Sequence, residues 1–263
     1  DTLLERSALA EFVKHFSDPE VDAVAGNVRV MAGNRGGKGL LVKMQAYEYL
    51  VSMEMGRKFN ALAGTLLVIP GALGAFRRRM GAGLGYLDGD TITEDLDMTL
   101  KLRKPGGNLR FASKSVGWTL VPDTLRSWIR QRTRWHMGQL ETLWKHRDLY
   151  LKQRFSIPLV LAVYDMLFMD AVSLVAKIIW LLILLCMYFS NVWILIYIYL
   201  LTFMLYFTSE SAVIASAGIL SPRKSDLKYV PLMPIIVLMY RPLYGLVRLK
   251  AYLEFLARRR IDW

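Results

Sequence analysis

Cysteine and histidine are scarce in this chain of 263 residues. Cys186 is the only cysteine and lies inside a long apolar stretch, so an intrachain disulfide is excluded. The three histidines, His15, His136 and His146, are scattered, and no Cys/His cluster has the spacing of a zinc site. We therefore expect the histidines to be ordinary surface or interface residues.

Charged residues are absent from one long stretch. Between Ile178 and Ser209 there is no Asp, Glu, Lys or Arg, and this stretch is longer than the ~20 apolar residues needed to cross a bilayer. Ser190 and Asn191 stand in its middle and favour a turn. The sequence therefore predicts two transmembrane helices, at about 166–189 and 192–215.

The last apolar segment, 229–257, is different. Its apolar part is short for a span and contains Pro231 and Pro234, which favours an interfacial or re-entrant helix. A basic loop precedes it and Arg258–Arg260 follow it, and positive charge is typical of cytoplasmic segments. The sequence thus predicts a multi-pass protein of the plasma membrane with residues 1–150 in the cytoplasm. A third crossing, which would place the arginines outside, stays open.

Positive charge dominates the composition, because 34 Lys and Arg face 22 Asp and Glu and give a net charge of +12. Such a charge suits nucleic acid, but the cations cluster near the apolar segments and no nucleic-acid motif is present. We therefore predict membrane lipid and an anionic substrate as partners, and no nucleic acid.

Residues 1–150 have the pattern of an α/β domain. The alternation in Val24–Val30 predicts a strand, and the apolar run before Pro70 predicts a second, buried strand. An apolar stripe in Leu40–Met55 predicts a helix, and Thr124–Tyr150 predicts a long amphipathic helix of the interfacial type. The chain begins with Asp rather than Met and has no signal peptide, so we expect it to be the later part of a longer protein.

A candidate catalytic residue lies in Thr91–Asp97. Thr91 and Glu94 fit a capping box, which predicts a helix start there. Asp95 then lies in the first turn, where the helix dipole favours a negative charge, and a carboxylate in that position could act as a general base. Carboxylates at helix starts are also common for capping alone, so the motif by itself does not decide.

The stretch Ser127–Trp135 combines arginines and tryptophans. On a helix, Gln131, Arg134, Trp135 and Gly138 share one face. The arginine fork suits a diphosphate, the indole ring suits a sugar, and Gly138 would leave room beside the ring. Contact with the lipid interface explains the same residues equally well.

Taken together, the two motifs resemble those of the processive, membrane-embedded family 2 glycosyltransferases, which include cellulose, chitin, hyaluronan and poly-N-acetylglucosamine synthases. Thr93-Glu94-Asp95 is similar to the TED motif of this family, and Gln131 to Trp135 is similar to its QxxRW motif. The resemblance implies an α/β fold. Residues 1–150 would be the C-terminal part of a GT-A-type nucleotide-sugar transferase domain, and 151–263 would be the membrane region.

The resemblance also implies roles for individual residues. Asp1 would belong to a metal-binding aspartate motif and help hold Mg²⁺ or Mn²⁺, and Asp95 would deprotonate the acceptor hydroxyl. The remaining residues would bind substrates: Gln131, Arg132 and Arg134 the donor diphosphate, Trp135 and Glu94 the acceptor. The reaction would invert the anomeric carbon and form a β-glycoside.

The stretches AVAGNVRV and YLDGDTITED most resemble the poly-N-acetylglucosamine and hyaluronan synthases. This implies UDP-N-acetylglucosamine as donor, with UDP-glucose next, a growing polysaccharide as acceptor, and accessory export proteins as further partners. The donor-binding first half of the family pattern is absent from this chain, so the chain alone is not expected to catalyse.

Two alternatives remain open. One is a transferase that adds a single sugar to a lipid carrier; the other is a non-catalytic transporter or scaffold subunit. A glycosyltransferase predicts that Asp95, Arg134 and Trp135 converge on one cleft with Asp1 at its edge, whereas a scaffold does not.

Overall fold

The computed structural model describes residues 2–31, 38–80, 91–104, 106–151 and 156–257, without the side chains of residues 150, 151 and 168–171. Asp1 and Arg258–Arg260, which the sequence singles out, lie outside the described residues. The described part combines a mixed sheet with a helical C-terminal region.

One sheet organises the first half of the chain. Its four strands are β1 (Thr2–Leu4), β2 (Val21–Val30), β3 (Gly74–Phe76) and β4 (Asn108–Thr119), in the order β1-β4-β2-β3. The central pair, β2 and β4, is parallel, and the two short edge strands run antiparallel to their neighbours. The register shifts after Gly26, where Asn27 Nδ2 donates to the carbonyl of Ser113 at 2.7 Å.

The strand predicted at Val24–Val30 is confirmed as part of β2, although it is not half-exposed. Every residue of β2 except Asp22 is buried, as expected for a central strand covered on both faces. Helix α1 (Ala8–Phe16) places Phe12 in the core beneath the sheet, together with Met53, Leu66 and Met98.

The prediction of a strand before Pro70 is wrong. Residues 65–70 have no regular secondary structure, although Leu66 and Ile69 are buried. Side chains satisfy the backbone of this segment in place of a neighbouring strand. Arg103 donates to the carbonyl of Leu66, Arg57 donates to that of Val68, and Thr99 Oγ1 accepts from the N–H of Ile69 at 3.0 Å.

The helix predicted at Leu40–Met55 is confirmed. It forms α2 (Leu40–Val51), continues as a π-helical turn (Ser52–Arg57) and ends as α3 (Lys58–Leu62). π-Helical turns carry one extra residue and are frequent where a side chain must be re-aimed. Here the turn carries Glu54, which is fully buried.

A buried ion network around Glu54 joins the sheet to the C-terminal helical region. Glu54 Oε1 accepts from Arg29 at 2.5 Å and from Asn27 at 2.8 Å, and Arg29 also pairs with Asp226 at 3.2 Å. Asp226 follows the second long apolar helix in sequence. Lys58 also pairs with Glu54, at 2.8 Å. Because an unpaired charge is costly to bury, these four charged groups together keep the junction intact.

Three further helices carry the motifs and the connection to the membrane region: α4 (Glu94–Arg103), α5 (Leu125–Lys145) and α6 (Arg147–Leu151). The long helix predicted to reach Tyr150 instead ends at Lys145. His146 leaves the helical conformation, and its ring is hydrogen-bonded to Asp97 of α4.

Two long apolar helices follow, α7 (Ile157–Tyr188) and α8 (Val192–Leu220). The predicted turn between them is present, and Asn191 caps α8 by accepting from the N–H of Ile194 at 3.3 Å. Helix α8 is long and apolar enough to cross a membrane, whereas α7 is bent by 56° between Ile157–Leu167 and Val172–Tyr188 and qualifies only if the bent pair is one span.

The last helical run covers the segment that the sequence predicts to be interfacial or re-entrant. It consists of a 3₁₀ stretch (Lys224–Leu232), α9 (Met233–Ile235), a π-helical turn (Ile236–Tyr240) and α10 (Arg241–Leu256). By length and composition this run is also a candidate span. Whether it crosses the membrane or lies at its surface stays a prediction, as do the domain boundary and the topology.

Side-chain contacts bind this run to the rest of the protein. Glu210 of α8 accepts from Tyr47 at 2.7 Å and from Arg241 at 2.9 Å. Arg248 donates to the carbonyl of Met166, next to the bend in α7, at 2.9 Å. A second core, which includes Trp128 and Tyr240, fills the space between these elements.

Candidate active site

The carboxylate of Asp95 lies at the start of α4. Its Oδ2 accepts from the N–H of Gly71 at 3.1 Å, and its Oδ1 accepts from the N–H of Leu96 at 2.8 Å. Two backbone donors therefore orient one carboxylate at a helix N-terminus, where the dipole favours negative charge. Asp95 is half-buried rather than enclosed, so a ligand can approach it.

The prediction of a capping box at Thr91 is wrong. The helix begins at Glu94, and the residue before it, Thr93, is the N-cap without a side-chain cap bond. The hydroxyl of Thr93 is instead 3.0 Å from the hydroxyl of Thr142 in α5. A contact between helices has replaced the local cap.

Thr99 holds the Asp95 turn against the segment before Pro70. Its hydroxyl donates to the carbonyl of Asp95 at 2.7 Å and accepts from the N–H of Ile69 at 3.0 Å. Arg57 lies within electrostatic reach of the same turn: burial lowers the pKa of Arg57, and the negative charge of Asp95 acts in the opposite sense. The position of Asp95 thus depends on residues from three separate parts of the chain.

Gly138 brings the two sequence motifs together. A Cβ at this position would lie 2.7 Å from Thr93 Cγ2 and 2.9 Å from Ile92 Cβ, so only glycine allows this approach. The room that Gly138 was expected to leave beside the ring of Trp135 is filled by Ile92 and Thr93. The start of the TED motif therefore packs directly on the QxxRW helix.

A buried ion cluster secures the same two helices one turn further on. Asp97 is 1% exposed and contacts Lys101 at 2.8 Å, Lys145 at 2.9 Å and His146 Nε2 at 2.8 Å. Burial alone would raise the pKa of Asp97, but hydrogen bonds from these three partners lower it to about 2. The cluster fixes the angle at which α4 meets α5.

The predicted substrate residues of α5 share the face that meets α4. Gln131, Arg134 and Trp135 are half-buried and lie one to two turns before Gly138 on that face. The side-chain oxygen of Gln131 is buried and accepts no hydrogen bond from the described residues. An amide can present either its oxygen or its nitrogen to a ligand, so this group is available for binding. Glu94 is exposed at the start of α4.

Arg132 is placed differently from these residues. It is 1% exposed, its Nη2 donates to Glu48 Oε2 at 3.0 Å, and its guanidinium lies 4.2 Å from the centroid of the Trp135 ring. This surrounding favours a supporting position behind Trp135. Its assignment to the donor diphosphate stays a prediction.

Sequence reasoning missed several residues that shape this site. Thr99, Asp97 and Glu48 were not singled out, because each acts through a partner 30 or more residues away in the sequence. The run of acidic residues in TEDLD was the one available sign that Asp97 has a role.

The described residues do not supply a metal site. No group of three or more His, Cys, Asp or Glu among them could hold an ion. Asp1, the residue that the sequence assigns to the metal, lies outside the described part of the chain.

Comparison with known proteins identifies relatives among polysaccharide synthases. The chain is 33% identical over 144 residues to a poly-beta-1,6-N-acetyl-D-glucosamine synthase of Staphylococcus aureus (strain COL) and 31% identical to that of Staphylococcus epidermidis. Each match covers 54% of this chain and 34% of the relative. The chain thus matches about a third of the length of these relatives.

The fold is similar to that of a mannosyltransferase from Pyrobaculum calidifontis, solved in complex with GDP-Man and Mn²⁺. The TM-score is 0.53 with 17% sequence identity, and the match covers 97% of this chain and 59% of the mannosyltransferase. This likeness confirms the predicted GT-A-type α/β fold. A family model described as glycosyl transferase family group 2 matches residues 1–239, and the chain therefore belongs to this family of glycosyltransferases.

Proposed function

We propose that the protein is an inverting hexosyltransferase that moves a sugar from a nucleotide diphosphate onto a growing β-linked polysaccharide. One observation carries the proposal most directly. The turn that holds Asp95 packs on α5 at Gly138, and this packing supports a site that Asp95 shares with the helix face carrying Gln131, Arg134 and Trp135.

This arrangement suits a single displacement. Asp95 would take the proton of the acceptor hydroxyl as its oxygen attacks the anomeric carbon of the donor. The bond from that carbon to the diphosphate oxygen would break, and Gln131 and Arg134 would hold the departing diphosphate. Trp135 would offer a flat apolar face to the acceptor sugar, with Glu94 beside it.

The relatives favour UDP-N-acetylglucosamine as donor, because those proteins are named as synthases of poly-N-acetylglucosamine. A divalent cation, Mg²⁺ or Mn²⁺, is part of the proposal, with Asp1 as one ligand. The apolar helix α8 and the bent α7 favour a multi-pass membrane protein whose catalytic part faces the cytoplasm. Export of the product, with accessory proteins, would follow from that placement.

The test uses the full-length protein in membrane vesicles with Mg²⁺ or Mn²⁺. Radiolabelled UDP-N-acetylglucosamine and UDP-glucose are supplied separately to the wild type, to Asp95→Asn and to Asp123→Asn. Asp123 is an exposed carboxylate just before α5 and serves as the matched control. We expect a high-molecular-weight product from UDP-N-acetylglucosamine that Asp95→Asn abolishes and Asp123→Asn retains.

Other outcomes would change the proposal in defined ways. Label found only in a small lipid-extractable product would identify a transferase that adds one sugar to a lipid carrier. Product from UDP-glucose alone would replace the donor. A folded, inserted protein that incorporates neither sugar, or an Asp95→Asn variant with full activity, would contradict the proposed reaction.

A further inference from the structure

Arg132 is buried among aromatic rings, which is not required of a cation that binds a ligand. Its guanidinium is enclosed by three aromatic rings, at 4.2 Å from the centroid of Trp135, 5.8 Å from that of Tyr244 and 5.9 Å from that of Tyr49. Cation–π attraction is strongest when the cation is removed from water, as it is at 1% exposure. One face of the Trp135 ring is thus occupied by Arg132, and only the other face is left for a sugar.

Glu48 of α2 holds Arg132 in this position. Glu48 Oε2 accepts from Arg132 Nη2 at 3.0 Å and also from the hydroxyl of Tyr240, and Trp128 Nε1 donates to that hydroxyl at 3.2 Å. Burial alone would lower the pKa of Arg132, but Glu48 together with Tyr244, Tyr240 and Tyr49 outweighs this effect, and the pKa is raised. Glu48 of α2 and Tyr240 of the last helical run therefore fix the position of the Arg132 guanidinium.

We propose that Glu48 and Arg132 form a positioning pair that sets the ring of Trp135, and thereby governs how firmly the growing polysaccharide is held between additions. The inference rests on the proposed function, because it takes the acceptor as the ligand of Trp135. The pair does not touch the reacting atoms. The pair holds the Trp135 ring in one rotamer. The ring therefore loses little conformational entropy when a sugar stacks on it.

The test compares product length and the KM for UDP-N-acetylglucosamine in full-length protein. The variants are Glu48→Gln, Arg132→Lys and Tyr240→Phe, and the control is Arg130→Lys, an exposed arginine on the same helix. Loss of one well-placed cation–π or charge contact predicts products shortened about tenfold for Glu48→Gln and Arg132→Lys. Tyr240→Phe removes only the hydroxyl from the network and should shorten them by about threefold. The donor KM should stay at the wild-type value in all variants.

A second measurement does not depend on turnover. Binding of a β-1,6-linked N-acetylglucosamine tetramer is measured by calorimetry in the inactive Asp95→Asn background, with and without Glu48→Gln. We expect the Kd to rise about tenfold when Glu48→Gln is added. Tyr240→Phe, which keeps the aromatic ring in the core, provides the same comparison if Arg132→Lys or Glu48→Gln fails to fold.

Two results would overturn the positioning role. A raised donor KM with unchanged product length would show that Arg132 binds the diphosphate instead. Wild-type product length and wild-type tetramer affinity in folded variants would show that the pair only supports the fold. Absence of tetramer binding by the protein with Glu48 and Arg132 intact would instead count against the proposed acceptor and hence the proposed function.

Discussion

Helix α5 contacts its neighbours through two faces, which pack in contrasting ways. Towards α4 it presents Gly138 and Thr142, and the backbones approach as closely as the missing side chain allows. Towards α2 and α10 it presents Trp128, Arg132 and His136, whose large rings and buried charge fill the space between helices. The first contact depends on the small size of the residues, and the second depends on charge and aromatic packing. Different substitutions should therefore disrupt the two contacts.

The largest effect is expected from Gly138→Ala. The new Cβ would overlap with Ile92 and Thr93, which should destabilise the fold by about 1–3 kcal/mol as in other overpacked sites. Displacing the Asp95 turn by even about 1 Å should reduce transfer by about 100-fold. Activity in vesicles and thermal unfolding in detergent measure both effects.

Gly56→Ala is the matched control for this substitution, because a Cβ at Gly56 would meet nothing within 4 Å. It should leave activity unchanged and alter stability by no more than about 1 kcal/mol. Full activity in Gly138→Ala would show that the α4–α5 distance does not position the base.

Asp97→Asn should have the next largest effect. It leaves the cations of Lys101 and Lys145 without the carboxylate that they share, and breaking a buried ion pair from one side typically costs about 3 kcal/mol. Denaturant unfolding at pH 7 measures the loss. Asp148→Asn, which breaks a partly exposed pair with Lys104 at 3.7 Å, is the control and should cost less than about 1 kcal/mol.

Acid should destabilise the two contact faces of α5 in different pH ranges. Burial and the charges of Arg248 and Arg132 lower the pKa of His136 from its ordinary 6.5 to about 3, whereas that of Asp97 falls from 3.8 to about 2. Both groups bind protons more readily when unfolded. The stability that depends on neutral His136 is therefore lost as the pH falls from 6.5 towards 3. The stability that depends on ionised Asp97 is lost only as the pH falls from about 4 towards 2.

Unfolding of the wild type and His136→Gln at pH 7 and pH 5 measures this difference. The wild type should lose about 2 kcal/mol more than the variant between these two values. His15 and His146 also have lowered pKa values, so the comparison between variant and wild type isolates His136. Equal losses in the two proteins would contradict a neutral, buried His136.

Thr142→Val should have the smallest effect. It keeps the shape of the side chain and removes the hydroxyl that lies 3.0 Å from Thr93 Oγ1, so it should cost about 1 kcal/mol. Thermal unfolding measures this cost, and activity should remain. A loss of activity as large as that of Gly138→Ala would mean that hydrogen bonding, rather than close approach, sets this contact.

The sequence predicted the elements that depend on local pattern. The strand at Val24–Val30, the helix at Leu40–Met55 and the turn at Asn191 follow from periodicity and turn chemistry, and the structure has each of them. The family and the GT-A-type fold followed from the resemblance of two short motifs, TED and QxxRW, to those of family 2 glycosyltransferases.

The sequence could not predict how distant groups pair. The apolar run before Pro70 has the composition of a strand, but the side chains of Arg57, Arg103 and Thr99 take its backbone bonds. The capping box was predicted at Thr91, but the N-cap is Thr93, whose hydroxyl contacts a partner 49 residues away. Arg132 carries the same charge as Arg134, and only the position of Glu48 shows that the two are placed differently. Each outcome depends on tertiary contacts that no local pattern encodes.

The irregular segment before Pro70 has a mechanical consequence. A strand can shift only if a ladder of backbone bonds breaks together, whereas this segment is held mainly by separate side-chain bonds that can lengthen one at a time. Gly71, the donor to Asp95, stands at its end. The carboxylate of Asp95 is therefore held in part by a segment that can yield by small steps while the sheet beside it stays whole.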